Sequence, residues 1–207
     1  VSTISREFLN SKINYDLNTD LSTVNSLEEA ETLLEQLCID LDSEQYDLEY
    51  DLDVSELPGS NIEFYDAVYK ALAMQIFPTV AKKAADLGSV KGMYLYGSGL
   101  DADAYCMDQR TRDYKETTKE SMHYLRMAVY KGCYYSIRSM VGVSNFFASP
   151  AEEYAFSIFY YEREKINYTG YFDHLSESEK KAGIALYNDM KEAGFKFLNY
   201  QLPSNFQ

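Results

Sequence analysis

The sequence has no tryptophan, only two histidines and three cysteines, and not one lysine or arginine from Ile13 to Tyr69. Each shortage removes a class of function. His123 and His174 lack the carboxylate or cysteine spacing of a metal site. Cys38, Cys106 and Cys133 form no C-x-x-C pair, so neither a disulfide framework nor a zinc site is implied, and free buried cysteines are expected. His123 and Cys133 lie on either side of a helix stop, a poor basis for a Cys-His nucleophile. Gly97-Ser98-Gly99 is not the G-x-S-x-G elbow of hydrolases, and no G-x-G-x-x-G or G-x-x-x-x-G-K-[ST] stretch cradles a phosphate. No apolar run approaches the roughly 18 residues of a membrane span. Without a catalytic signature the chain reads as a non-enzyme, with no cofactor expected. It begins at Val1 rather than Met, so a cleaved leader is compatible with it, and a cytoplasmic location is the default expectation.

What is present is core material and acid. The 207 residues are 46% hydrophobic, with 20 Tyr and 11 Phe, enough for a sizeable and strongly aromatic core. The net charge of -14 sits in one third of the chain. All sixteen charged residues between Ile13 and Tyr69 are acids, while the other 17 acids face all 19 Lys and Arg. Such a field repels nucleic-acid phosphates and anionic membranes and attracts basic protein surfaces. Its most regular part is Tyr46 to Val54, YDLEYDLDV, which alternates apolar Tyr46, Leu48, Tyr50, Leu52 and Val54 with Asp47, Glu49, Asp51 and Asp53. In an extended chain this gives one apolar and one wholly acidic face. With Asp40, Asp42 and Glu44 just before it, this row is the candidate surface for a basic protein partner. The plain alternative is an exposed acidic edge that keeps the protein soluble and deters strand pairing. A calcium loop over Asp40–Asp51 has acids at its first, third, fifth and twelfth positions but lacks the sixth-position Gly and the terminal Glu.

Helix-start signals recur. Ser or Thr followed three residues later by Glu, where the hydroxyl caps the first turn and the Glu reaches back, occurs at Ser26/Glu29, Ser60/Glu63, Thr117/Glu120, Ser149/Glu152 and Ser176/Glu179. The spacing predicts helices near 27–38, 62–87 with a break at Pro78, 118–131, 134–147, 151–166 and 177–193, and a loop over 97–115 in which Gly97 and Gly99 turn the chain. Asp101, Asp103 and Asp108 in that loop are the candidates if the protein is instead an enzyme with an atypical acidic site. A structural subunit is the third reading.

AKKAADLG at 81–88 and LRMAVYKG at 125–132 share a basic second residue, an Ala fourth and a Gly eighth, 44 residues apart. A period in that range marks helical repeat arrays. Ala84-Ala85-Asp86-Leu87-Gly88, then Tyr94-x-x-Gly97-x-Gly99-Leu100 with Asp101, then ESMHYLRMAVYKG at 120–132 resemble the motifs of the Sel-like repeats, relatives of the tetratricopeptide repeats. The resemblance covers about residues 64–165. It departs from the family pattern in a shortened 88–94 spacing, an enlarged segment after Leu100 and Val129 in place of the second Ala. It implies an α/α scaffold whose usual work is binding other proteins. The expected fold is therefore mostly α: antiparallel helix pairs in a superhelix-like arrangement, with a short acidic extended or β segment near the N-terminus. Residues 1–59 would form an acidic region packed on a repeat-like domain at 60–207, as one folding unit. The sharper functional reading is an inhibitor or immunity-type protein that neutralises a basic toxin or nucleic-acid-acting enzyme.

Overall fold

The computed structural model describes residues 15–16, 18–42, 76–141 and 147–192. The fold is mostly α. Among the described residues there are seven helices and no strand: α1 (Leu27–Asp42), α2 (Phe77–Asp86), α3 (Val90–Tyr105), α4 (Arg112–Tyr130), α5 (Tyr134–Met140), α6 (Pro150–Glu164) and α7 (Glu177–Glu192). The chain groups into two compact units, 1–92 and 93–207. The expected boundary at 59/60, the acidic alternating stretch and the Ser60/Glu63 cap lie outside the described residues.

In the first unit α1 buries Ala30, Leu34, Leu37 and Cys38, and α2 packs on it with Val80, Ala81, Ala84 and Ala85. Ser26 starts α1 as its spacing predicts: its hydroxyl accepts the Glu29 N–H at 3.2 Å, and the Glu29 carboxylate accepts the Ser26 N–H at 3.3 Å. Pro78 falls in the first turn of α2, where its missing N–H is not needed. α2 closes at Gly88 (φ 104°), with Gly88 N–H on the Ala85 carbonyl and Ser89 N–H on that of Ala84. This is the paired-bond helix stop that requires a left-handed residue. Ser89 then caps α3 by accepting the Gly92 N–H at 3.1 Å. A Cβ on Gly92 would lie 2.7 Å from the Ala85 nitrogen, so this helical corner closes only around a bare α-carbon.

The second unit repeats the corner. α4 stops at Gly132 (φ 106°), with Gly132 N–H on Val129 and Cys133 N–H on Ala128, and α5 starts two residues after the glycine, as α3 does. The core combines Met122, Leu125 and Val129 of α4 with Tyr134, Ile137 and Met140 of α5, Ala155, Phe156 and Phe159 of α6 and Met190 of α7.

Several local expectations are corrected. Residues 97–105 are helical within α3, so the 97–115 loop shrinks to a turn over 106–111. Gly97 makes no turn. A Cβ there would meet the Leu125 Cγ at 2.9 Å, and its carbonyl accepts the Ser121 hydroxyl at 2.8 Å, so the glycine lets α3 and α4 touch. α4 begins at Arg112, capped by Thr111, whose hydroxyl accepts the Tyr114 N–H at 3.2 Å. Thr117 and Glu120 lie inside that helix, and Glu120 accepts the Tyr96 hydroxyl at 3.0 Å. α1 runs four residues further than its apolar spacing indicates. Cys106 is exposed, whereas Cys38 and Cys133 are buried.

The link from α6 to α7 spans residues 165–176 and leaves these two helices parallel rather than as the antiparallel pair expected, with Gly183 beside Tyr154 and Tyr187 beside Glu162. It doubles back along α6: Tyr168 meets Tyr161, Phe172 meets Tyr154, and His174 Nε2 lies 3.1 Å from Glu153 Oε1. α7 thus starts beside the first turn of α6, and Gly183 admits the Tyr154 ring, which a Cβ would meet at 2.7 Å.

Candidate functional site

The acidic candidates divide at the end of α1. Asp40 is 6% exposed, and its carboxylate accepts the Tyr15 N–H at 2.8 Å, tying the segment before α1 to its last turn. This corrects the expectation of an outward Asp40, and it commits the first ligand of the calcium loop to the backbone. Asp42 is the last residue of α1. Glu44, Asp47, Glu49, Asp51 and Asp53 lie outside the described residues.

The other acids of this unit are mostly engaged. Asp16 accepts the Asn18 N–H at 2.8 Å and Asp20 that of Ser22 at 2.9 Å, both short-range turn bonds of the kind Asp favours. Glu31 takes the Ser89 hydroxyl at 2.8 Å, and Glu35 pairs with the nearly buried Lys91 ammonium at 3.3 Å. Hydrogen bonds from Ser26 and Asn25 hold the Glu29 carboxyl below the usual carboxylate range, as those from Ser22 hold Asp20. These bonds leave the carboxylates charged, so the unit keeps its negative field. Asp16, Asp20, Glu28, Glu29, Glu31, Glu35, Asp40, Asp42 and Asp86 stand against Lys82, Lys83 and Lys91 among its described residues. An open groove of about 380 Å³ runs between Thr19, Val24, Glu28, Glu29, Thr32 and Leu33, with exposed carboxylates on one wall.

The alternative acidic site loses its loop. Asp101 and Asp103 are on α3, and burial raises the Asp101 carboxyl above its ordinary value. Asp108 shapes the 106–111 turn by accepting the Arg110 N–H at 3.0 Å on its side chain and the Thr111 N–H at 2.9 Å on its carbonyl. Among the described residues no three His, Cys, Asp or Glu side chains converge as metal ligands. No described helix is long and apolar enough to cross a membrane.

Two arrangements in the second unit escaped the sequence reading. Glu152, with its side chain only 4% exposed, receives Arg126 Nε at 2.7 Å and Nη2 at 3.0 Å. It also accepts the Ala148 N–H at 2.6 Å, while its own N–H goes to the Ser149 hydroxyl at 3.1 Å. The cap at Ser149/Glu152 is therefore also a two-pronged ion pair between α4 and α6, and the 26-residue separation hides it from any local pattern.

The second arrangement is aromatic. Tyr154, Tyr160 and Tyr161 of α6, Tyr134 and Tyr135 of α5, and Tyr168, Tyr171 and Phe172 of the returning link form edge-on and stacked contacts. In and beside this cluster Tyr134 donates to the Glu164 carboxylate, and Tyr187 to that of Glu162 at 2.7 Å. Burial and the adjacent Glu164 hold the Tyr134 phenol far above its usual range, and burial and Glu162 push Tyr187 up to about 12. The only sequence signal was density, since YAFSIFYYEREKINYTGYF (154–172) carries eight aromatic rings, six of them in this set.

Comparison with protein-family models, with curated proteins and with solved structures finds no match for the chain.

Proposed function

We propose that the protein is a non-enzymatic protein-binding module, a helical repeat-like scaffold of Sel-like type that engages a basic protein through its acidic N-terminal region. The observation that carries the scaffold reading is the repeated corner. Gly88 and Gly132 lie 44 residues apart, have φ of 104° and 106°, close with the same pair of backbone bonds and lead into the next helix after one intervening residue. Equivalent corners at a fixed interval are how repeat proteins stack one helix pair on the next, and such stacks work by presenting surfaces.

The charge supports the choice of partner. A unit whose carboxylates are fixed by caps and turns holds its negative potential without spending side-chain freedom on binding, and that potential steers basic partners. An inhibitor or immunity-type role fits this arrangement, with the carboxylates at Asp47, Glu49, Asp51 and Asp53 standing in for a polyanion.

The test is a binding titration against a panel of small basic nucleases and other basic proteins at stepped salt, comparing the native chain with a D47N/E49Q/D51N/D53N variant. Salt-sensitive binding to a panel member, weakened about tenfold or more in the variant, is expected. Affinity that is equal in the two proteins removes the acidic row from the mechanism.

A further inference from the structure

Tyrosine rings cross the second unit in unbroken succession. Tyr94 of α3 lies 6.2 Å from Tyr135, centroid to centroid, and Tyr135 lies 6.0 Å from Tyr134. Tyr134 stacks on Tyr160 at 6.4 Å and 21°, Tyr160 is 5.5 Å from Tyr161, and Tyr161 is 5.1 Å from Tyr171. The inner members Tyr134 and Tyr161 are 7% and 9% exposed, whereas Tyr171 is 58% exposed. We propose that this ladder is a path for oxidising equivalents, carrying a one-electron oxidation from the Tyr94/Tyr135 end to Tyr171 at the surface.

Contact alone does not qualify a row of rings, because a phenol that loses an electron must also lose its proton or leave a buried cation. Tyr134 meets that demand. Its hydroxyl donates to the Glu164 carboxylate, a base already in place. The Arg163 guanidinium, 4.1 Å above the same ring, opposes a bare positive charge there. Electron and proton must therefore leave Tyr134 together, and Glu164 is the positioning residue that makes this possible.

The sequence of steps balances. A one-electron oxidant, of the class of peroxide-derived radicals, takes an electron from Tyr135 or Tyr94, whose hydroxyl proton is released. Tyr134 refills that phenoxyl with an electron while its own proton moves to Glu164, and the first ring regains a proton. Tyr160 then reduces Tyr134, whose proton returns from Glu164, while Tyr160 releases its own hydroxyl proton to water. Tyr161 reduces Tyr160 and Tyr171 reduces Tyr161 in the same way, each donor phenol losing a proton to water as the ring it reduces regains one. At Tyr171 the phenoxyl radical takes a hydrogen atom from a thiol in solution, which restores the phenol and leaves a thiyl radical. The effect is to move damage away from a buried core to a replaceable external reductant.

The experiment places the oxidant at the Tyr94/Tyr135 end. Arg138 is exposed, on the same helix as Tyr135, and Cys38 and Cys133 are buried. A ruthenium polypyridyl photo-oxidant is attached at R138C in a C106S background, and one-electron oxidation is triggered by flash-quench. Oxidation products are mapped to individual tyrosines by peptide mass spectrometry with a phenoxyl-trapping probe, and folding of each variant is checked by circular dichroism. The expected result is trapping at Tyr171. Tyr160→Phe, which keeps the ring but removes the oxidisable phenol, lowers it several-fold and raises products at Tyr134 and Tyr135. In the parent, trapping at Tyr171 is slowed in deuterated solvent, because electron and proton leave Tyr134 together. Glu164→Gln lowers the trapping and changes that deuterium effect, which a merely structural role would not do. Trapping at Tyr171 that is the same in Tyr160→Phe as in the parent overturns the proposal, as does its absence from the parent.

Discussion

The Arg126–Glu152 pair offers the sharpest test of how the second unit is held together. Arg126→Met keeps most of the side-chain stem but removes both donors, at 2.7 and 3.0 Å, from a carboxylate that is 4% exposed. What remains for Glu152 is the Ala148 N–H, the Tyr130 hydroxyl at the 3.5 Å limit and little access to water. Breaking one side of a buried pair costs about 3–5 kcal/mol, because the surviving charge keeps its desolvation penalty. Arg126 retains partial exposure at 24%, which places the expected loss near 3 kcal/mol, or roughly 6–12 °C in thermal midpoint for a chain of this size. Urea and thermal unfolding followed by circular dichroism read this directly. The double variant R126M/E152M should recover most of the loss, because an apolar pair of similar volume replaces the charges without leaving one unpaired. A loss below about 1 kcal/mol in the single variant, or a double variant no better than the single, would refute the reasoning.

Two further predictions follow from backbone and phenol chemistry. Lys165 closes α6 with φ 56° and the same bond pattern as the two glycine corners, Lys165 N–H on Glu162 and Ile166 N–H on Tyr161; Lys165→Gly should stabilise by about 0.5–1 kcal/mol and Gly132→Ala destabilise by about 1–2 kcal/mol in the same unfolding assay. Tyr187 ionises near 12 in the folded chain, above its unfolded value near 10. The folded state therefore binds the extra proton between these values, and the associated stability is complete below about pH 10 and lost as pH rises towards 12. Tyr187→Phe should flatten that alkaline loss and remove one late-titrating phenolate from the absorbance at high pH.

Where the sequence reading succeeded, the cause was local. Ser26/Glu29, Ser149/Glu152 and Ser176/Glu179 start helices because hydroxyl and N–H are three residues apart, and the stops at Gly88 and Gly132 need only a residue that tolerates positive φ. The same pattern at Thr117/Glu120 misled because Thr111 caps one stretch earlier and the helix simply runs through it. Gly97 and Gly99 read as a turn because glycine punctuates chains, yet Gly97 serves a contact with Leu125 that no short window contains.

The sequence by itself determined the mostly helical class, the cap and stop positions and the placement of negative charge in the first third, since each follows from composition or from bonds within a turn of chain. Only the tertiary structure decided which charges are spent on structure and which groups act together. Asp40 became a backbone clamp for Tyr15, Glu152 the partner of Arg126, and the tyrosines a continuous row, because each depends on groups brought together by packing across gaps longer than any local rule spans.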